Sequence, residues 1–149
     1  MQGRGRLLGL DLGSKTIGLA ISDDSWIVAS PIQTIQRTKF SKDAQTLLAL
    51  IEREKIRGLV IGWPVNMNGT EGPRCQSTRA FQRNLAKLIE LPMLFWDERM
   101  SSIAADRAML EADLSRAKRA ANIDQIAAGI ILQSALERLV NERNKDSAD

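Results

Sequence analysis

The stretch of residues 8–23 constrains the fold most, because two alternating patterns of apolar residues follow each other directly in the sequence LGLDLGSKTIGLAISD. Successive residues of a β-strand point to opposite faces, so the first pattern turns three leucines to one face and Asp11 to the other. The second pattern alternates large aliphatic residues with small or polar ones in the same way. The segment Gly13-Ser14-Lys15 between them is short and flexible enough for a tight turn. We therefore predict a β-hairpin.

Asp11 stands between Gly9 and Gly13 in the first predicted strand. Because these two positions carry no side chains, the backbone beside the carboxylate is open to a ligand that approaches closely. An ordinary half-buried hairpin, in which Asp11 pairs with Lys15, explains the same residues. The hairpin alone does not decide between a functional and a structural role for Asp11.

Histidine is absent from the 149 residues, and Cys75 is the only cysteine. Catalysis by serine–histidine or cysteine–histidine pairs is therefore excluded within this chain, and so are histidine-ligated metals, internal disulfides and cysteine-rich zinc sites. An enzyme of this composition has to use carboxylates, lysine or a metal ion held by oxygen ligands. A lone cysteine also favours a reducing compartment, so we expect a cytoplasmic protein.

The length and the hydrophobic content of 44% fit one globular domain over residues 1–149. The longest apolar run, residues 126–132, is much shorter than the ~20 residues of a membrane span. The net charge of +3 and the isoelectric point near 9.4 favour a polyanionic partner, although a solvated basic surface gives the same values.

Periodicity and turn signals define the remaining elements. Apolar residues around Pro31 predict a third strand within residues 26–37, and Ser41 is the predicted N-cap of a helix that ends near Lys55. A buried strand is expected at 57–62, a helix at 76–90, a strand at 93–96 and a helix from Ser101 or Ser102 to about residue 112. The last helix is expected to begin with a capping box at residues 122–125. Its predicted buried stripe contains Ile123, Ile126, Ala127, Ile130 and Ile131, continued by Leu136, Leu139 and Val140.

This order of elements predicts an α/β fold. We expect a mixed five-stranded sheet, with three antiparallel strands followed by parallel strands, flanked by helices. Residues from about 142 to 149 are polar, and we expect them to fray.

Three acidic residues, Asp11, Glu98 and Asp124, fall where such a sheet can bring them together: the first strand, the exit of the last strand and the start of the last helix. Because three carboxylates repel one another, a divalent cation is needed to hold them close. Oxygen ligands alone favour Mg²⁺ or Mn²⁺, bound as one ion or two. Such a site suits the hydrolysis of a phosphodiester. Complementation of a helix dipole explains Glu98 and Asp124 equally well at this stage.

Basic residues and one long loop are candidates for contacts with nucleic acid. The loop of residues 63–73 follows a buried strand and contains Asn66, Asn68 and Gly69. The candidate phosphate contacts are Lys15 and Arg99, a helical ridge of Arg79, Arg83 and Lys87, and a connector with Arg116, Lys118 and Arg119. A solvated helix face would also be rich in such residues.

Four segments, in this order, resemble the motifs of the YqgF/RuvX family: GLDLGSKTIGLA at 9–20, GWPVNMNGTEG at 62–72, DERMSS at 97–102 and DQIAA at 124–128. Trp63 and Val65 stand where the family usually has leucines, but no acid is lost. The resemblance implies a ribonuclease-H-like fold and a cytoplasmic location. It also implies that Asp11, Glu98 and Asp124 are metal-binding acids. The family is described both as Holliday junction resolvases and as nucleases that mature the 5′ end of 16S ribosomal RNA.

The leading hypothesis is therefore a metal-dependent endonuclease for structured RNA, with branched DNA as the alternative substrate and ribosomal precursor particles as possible partners. A second interpretation takes Asp11-Leu-Gly-Ser-Lys15 as the phosphate-binding hairpin of an actin-like or sugar-kinase ATPase, although the chain supplies only one of the two halves such folds need. A third is a non-catalytic nucleic-acid or ribosome-associated module. The sequence allows a monomer or a homodimer, and Trp63 either stacks on an unpaired base or fills a groove.

Overall fold

The computed structural model describes residues 5–66, 68–100 and 116–148. Five strands form one sheet: β1 (Arg6–Leu12), β2 (Thr16–Ser22), β3 (Ala29–Gln36), β4 (Ile56–Trp63) and β5 (Met93–Asp97). Their order across the sheet is β3-β2-β1-β4-β5. The first three strands are antiparallel neighbours, and β4 and β5 continue the sheet in parallel with β1. The predicted mixed sheet is confirmed.

The predicted hairpin is also confirmed. Strands β1 and β2 pair from Leu8 with Ile21 to Leu12 with Ile17, and residues 13–15 make the turn. Strand β3 lies at the edge of the sheet, and its pairing with β2 shifts register between Leu19 and Ala20, where Pro31 is placed. An edge strand with a bulge tolerates proline, because proline has no N–H to donate to a neighbouring strand.

Helices cover both faces of the sheet. Helices α1 (Phe40–Arg53) and α2 (Pro73–Ala86) lie on the face to which Leu8, Leu10 and Leu12 point, and contribute Leu47, Leu50, Phe81 and Leu85 to that core. The opposite face is covered by the long helix α3 (Arg116–Ala148). Asp11 points to this second face, as the alternation of β1 predicts.

Small residues let α3 pack closely on the sheet. Within residues 123–142, its buried residues are Ala127, Ala128, Gly129, Ile131, Leu132, Ala135 and Leu136. The predicted stripe is confirmed at Ala127, Ile131 and Leu136. It is wrong in part, because Ile123, Ile126, Ile130, Leu139 and Val140 are only half-buried. Glycines in the strands allow this close packing: a Cβ atom on Gly9 would lie 3.2 Å from the main-chain oxygen of Ala128 and 2.9 Å from Cβ of Leu132.

Several predicted helix ends were wrong. Helix α1 begins after Lys39, and no side chain caps it, so Ser41 is not its N-cap. Helix α2 begins at Pro73 rather than at residue 76, since proline suits the first helical position, and it ends at Ala86 rather than at residue 90.

Helix α3 is longer than predicted. It already includes Arg116, because residues 116–121 are good helix formers, so the predicted capping box at 122–125 lies inside it. The helix continues to Ala148, through most of the end that we expected to fray. The helix predicted from Ser101 or Ser102 to residue 112 lies outside the described residues. No helix in the described ranges has the length and apolar content needed to cross a membrane.

Candidate active site

Asp11 lies in the middle of the sheet and is only 2% exposed. In β2 its paired residue is Gly18. In β4 the pairing of Leu10 with Ile61 places Gly62 beside Asp11. Neighbouring strands lie about 4.8 Å apart, so Asp11 has a residue without a side chain close on each side. The two glycines leave the surface around the Asp11 carboxyl group open to groups from other elements.

Glu98 lies over Gly62, the glycine of β4 beside Asp11. It follows β5 directly, as the first residue of a single 3₁₀ turn, Glu98–Met100. A Cβ atom built on Gly62 would lie only 2.9 Å from Oε1 of Glu98. The carboxylate of Glu98 therefore occupies the space that a side chain at position 62 would need.

Asp124 lies over Gly18, the glycine of β2 that pairs with Asp11. A Cβ atom on Gly18 would lie 1.9 Å from the main-chain oxygen of Asp124, a distance that excludes any side chain at position 18. The Asp124 carboxylate accepts a short hydrogen bond from the hydroxyl group of Thr16, which stands on the same face of β2. The hydrogen bond attaches the amino-terminal part of α3 to the hairpin.

The structure therefore places the three predicted acids on one face of three neighbouring strands. It does not bring all three carboxylates together, since no group of three acidic or cysteine side chains within the described ranges is close enough to hold a metal ion. The donor chemistry fits Mg²⁺ or Mn²⁺, which prefer carboxylate oxygens. For shared ligation, the three carboxylates would have to come closer together.

Arg99, a predicted phosphate contact, forms a two-pronged ion pair with Asp97. Nη2 of Arg99 lies 2.7 Å from Oδ2 of Asp97, and its Nε lies 3.1 Å from both carboxylate oxygens. These hydrogen bonds hold the pKa of Asp97 below its ordinary value. The guanidinium group remains partly exposed, beside Gly69 of the loop.

We expect Arg99→Gln to raise the pKa of Asp97 back toward its ordinary value, because the hydrogen bonds to the charged carboxylate are lost. Titration of the Asp97 carboxyl carbon by NMR measures the change. Arg79→Gln, which removes a different exposed arginine, should leave this pKa unchanged. An unchanged pKa in Arg99→Gln would show that Arg99 does not stabilise the charge of Asp97.

The polar residues of the loop stabilise the loop itself. Nδ2 of Asn66 donates to Oγ1 of Thr70, and Oδ1 of Asn68 accepts from the main-chain N–H and the hydroxyl group of Thr70. Gly69 has a φ of 87°, a conformation that favours glycine. The candidate loop residues thus form a tight turn against Arg99, a role that the prediction did not assign to them.

The other basic candidates lie on three elements. Lys15 is exposed in the hairpin turn, and Arg83 and Lys87 are exposed on or just after α2. Arg79 is also exposed, but it pairs with Glu71 at 3.1 Å and lies 5.0 Å above the ring of Trp63. The backbone of Arg116, Lys118 and Arg119 belongs to the first turns of α3.

Trp63 contacts an aromatic ring and a guanidinium group. Its centroid lies 4.8 Å from that of Phe95, and Arg79 lies above it. The ring is half-buried, which agrees better with the groove-filling interpretation than with a free surface for base stacking.

Sequence reasoning missed three residues that shape the site: Thr16, Gly62 and Asp97. A glycine at the end of a buried strand is a signal for close approach, and Gly62 could have been found in this way. Asp97 directly precedes Glu98, and its spacing from Arg99 is a weak signal for an ion pair. Nothing in the sequence connects Thr16 with Asp124, because 108 positions separate them.

Comparison with known proteins identifies the family. The family model described as "RuvX: Holliday junction resolvase" matches residues 5–138. A relative from Rhodobacter capsulatus is 59% identical over 137 residues, covering 92% of this chain and 86% of the relative. One from Paracoccus denitrificans is 60% identical over 135 residues, covering 91% and 85%. Both are named "Putative pre-16S rRNA nuclease".

Two solved structures share the fold. Thermus thermophilus RuvC in complex with a Holliday junction substrate has a TM-score of 0.61 at 13% identity, over 92% of this chain and 96% of that chain. A second structure of T. thermophilus RuvC has a TM-score of 0.58 at 11% identity, over 91% and 96%. The predicted ribonuclease-H-like fold is confirmed. The chain belongs to the RuvX family and is a nuclease, a hydrolase that acts on ester bonds.

Proposed function

We propose that this nuclease is a divalent-metal-dependent endonuclease, that its acids Asp11, Glu98 and Asp124 bind the metal, and that its substrate is the precursor of 16S ribosomal RNA. The single observation that carries the proposal is the placement of the acids. Asp11 lies between two glycines in the sheet, and Glu98 and Asp124 lie over those glycines. These contacts support the proposal, because all three acids then lie on the same face of the sheet, where a metal ion would draw their carboxylate oxygens together.

Each residue near the site has a distinct task in this proposal. A bound Mg²⁺ or Mn²⁺, as one ion or two, would activate water and stabilise the leaving oxygen. Asp11 and Glu98 would bind the metal ion from the side of the sheet, and Asp124 would add a carboxylate from α3. Thr16 orients Asp124 through its hydrogen bond. Lys15, which is exposed in the turn after β1, and the partly exposed Arg99 would contact substrate phosphates.

Sequence similarity favours RNA over branched DNA as the substrate. The relatives with 59% and 60% identity carry the name of an rRNA nuclease, whereas the structure solved with a Holliday junction is only 13% identical and supports the fold alone. An rRNA-processing role also supports a cytoplasmic location, with ribosomal precursor particles as partners.

Incubation with precursor 16S RNA and with a four-way DNA junction, each with Mg²⁺, Mn²⁺ or EDTA, tests the proposal. We expect cleavage of the RNA near its 5′ end with either metal and none in EDTA. Faster cleavage of the junction would transfer the assignment to the DNA substrate, and a two-fold dimer in sedimentation experiments would accompany it, because symmetric cleavage needs two sites. Binding without cleavage under every metal would contradict the proposal and favour a non-catalytic module.

A further inference from the structure

The indole ring of Trp96 lies in the core between the sheet and α3. Trp96 belongs to β5 and is 8% exposed. It is part of the same buried cluster as Val60 of β4 and Ala127 and Ile131 of α3. Asp11 points to this face as well, so Trp96 and the candidate active site lie on the same side of the sheet.

The ring of Trp96 carries a buried donor to which the fold gives no acceptor. Its Nε1 atom is shielded from solvent and has no hydrogen-bond partner in the part of the chain that the structure describes. By contrast, Nε1 of Trp26 donates to the main-chain oxygen of Gly5 at 2.8 Å. A buried indole N–H usually has a partner. The unpaired N–H of Trp96 therefore indicates that another state of the protein supplies its acceptor.

Gly62 connects Trp96 with the acids. It is the residue of β4 that pairs with Trp96, and it also stands beside Asp11 of β1. The three residues form one row across three neighbouring strands, with the glycine in the middle. A Cβ atom on Gly62 would lie 2.9 Å from Oε1 of Glu98 and 2.8 Å from Cδ1 of Ile131. The space over Gly62, next to Trp96 in this row, therefore contains the Glu98 carboxylate.

The order of the strands makes Glu98 the one of the three acids that is within reach of Trp96. Neighbouring strands lie about 4.8 Å apart, so the space over Gly62 is one strand away from Trp96. Asp11 is two strands away, and Asp124 lies over β2, three strands away. The acids have to come closer together to share a metal ion. A shift of the Glu98 carboxylate in that step would supply the acceptor that Nε1 lacks.

We propose that Trp96 is a positioning residue for metal binding: when a divalent cation is bound, its indole N–H donates to the carboxylate of Glu98. A hydrogen bond of this kind fixes the orientation of a metal-binding carboxylate. Loss of such a donor typically weakens metal binding by about 10–100-fold. The inference rests on the proposed function, since it requires Glu98 to bind the metal.

The affinity for Mn²⁺, measured without nucleic acid, tests this role independently of cleavage. The electron paramagnetic resonance signal of free Mn²⁺ gives the amount that the protein binds. Trp96→Phe keeps an aromatic ring and removes the N–H, so we expect it to weaken Mn²⁺ binding by about tenfold. Trp63→Phe is the matched control, because Trp63 directly follows Gly62 but points to the opposite face of the sheet. We expect its Mn²⁺ affinity to stay within about twofold of the wild type.

NMR spectroscopy of the wild-type protein gives a second readout, which does not depend on whether Trp96→Phe folds. The chain has three tryptophans and therefore three indole N–H signals. Trp26→Phe and Trp63→Phe assign two of them, and the third belongs to Trp96. We expect Mg²⁺ to move the Trp96 proton signal downfield, because a hydrogen bond to a charged carboxylate deshields the proton. The signal of Trp26, whose N–H already donates to Gly5, should not move.

The inference requires both results. Wild-type Mn²⁺ affinity in Trp96→Phe would overturn it. A Trp96 signal that Mg²⁺ does not move would also overturn it, since lost packing then explains any weaker binding by the variant. Failure of the proposed function appears separately, as Mn²⁺ binding of wild-type strength in Glu98→Gln, and it would refute the inference as well.

Discussion

Asp11→Asn should reduce cleavage of precursor RNA by about 10²–10³-fold, with the melting temperature unchanged or raised. The amide keeps the shape of the carboxyl group but removes the negative charge that holds the metal, and loss of one electrostatic catalytic group typically has an effect of this size. Asp11 is 2% exposed, and burial of a carboxylate charge is costly, so the neutral amide lowers this cost. Single-turnover cleavage assays and calorimetry measure both effects.

Asp43→Asn is the matched control for Asp11→Asn. Asp43 is 4% exposed and lies at the start of α1, on the opposite face of the sheet. Its Oδ1 accepts hydrogen bonds from the N–H and the hydroxyl group of Thr38, a role that an asparagine oxygen can keep. We expect its cleavage rate to stay within about twofold of the wild type. Equal rates for Asp11→Asn and the wild type would refute the assignment of the acids.

Gly18→Ala should destabilise the fold and reduce cleavage together. The added methyl group would lie 1.9 Å from the main-chain oxygen of Asp124, so α3 or β2 has to move. Overpacking of this kind costs about 1–3 kcal/mol, which corresponds to a melting temperature lower by roughly 3–10 °C in a chain of this size. The displacement of Asp124 should lower the cleavage rate even at temperatures where the variant is folded.

Gly72→Ala is the control for added volume. Its Cβ atom would have no neighbour closer than 3.8 Å, the Nδ2 atom of Asn66. We expect its melting temperature to stay within about 2 °C of the wild type. A Gly18→Ala protein with wild-type stability and activity would show that α3 does not need the close contact with β2.

Local sequence patterns predicted the fold correctly where a feature depends on the residues of a single element. The alternation in β1 predicted both the hairpin and the face to which Asp11 points. Glu98 directly follows β5, as predicted, because the order of elements in a mixed sheet restricts where its edges meet. Asp124 was predicted at the start of the last helix, but α3 already includes Arg116, so Asp124 lies inside the helix.

The errors arose where burial or a hydrogen bond depends on two elements that are distant in the sequence. The depth at which each residue of α3 is buried depends on the strand residues opposite it, so its own periodicity placed Ile123, Ile126 and Ile130 deeper in the core than they lie. The hydrogen bond between Thr16 and Asp124 requires the relative placement of α3 and β2. Asn68 bonds to Thr70 within its loop, because asparagine competes for nearby backbone groups wherever a turn allows it.

The contact of Asp124 with β2 has an evolutionary consequence. Its main chain lies against Gly18 and its carboxylate bonds to Thr16, so the residue proposed for chemistry also joins α3 to the sheet. Selection for stability of the fold and selection for catalytic activity therefore act on the same position. Homologues that lose the acid would lose the hydrogen bond to Thr16 but keep the main-chain contact with Gly18, and those that keep the acid need not retain the reaction.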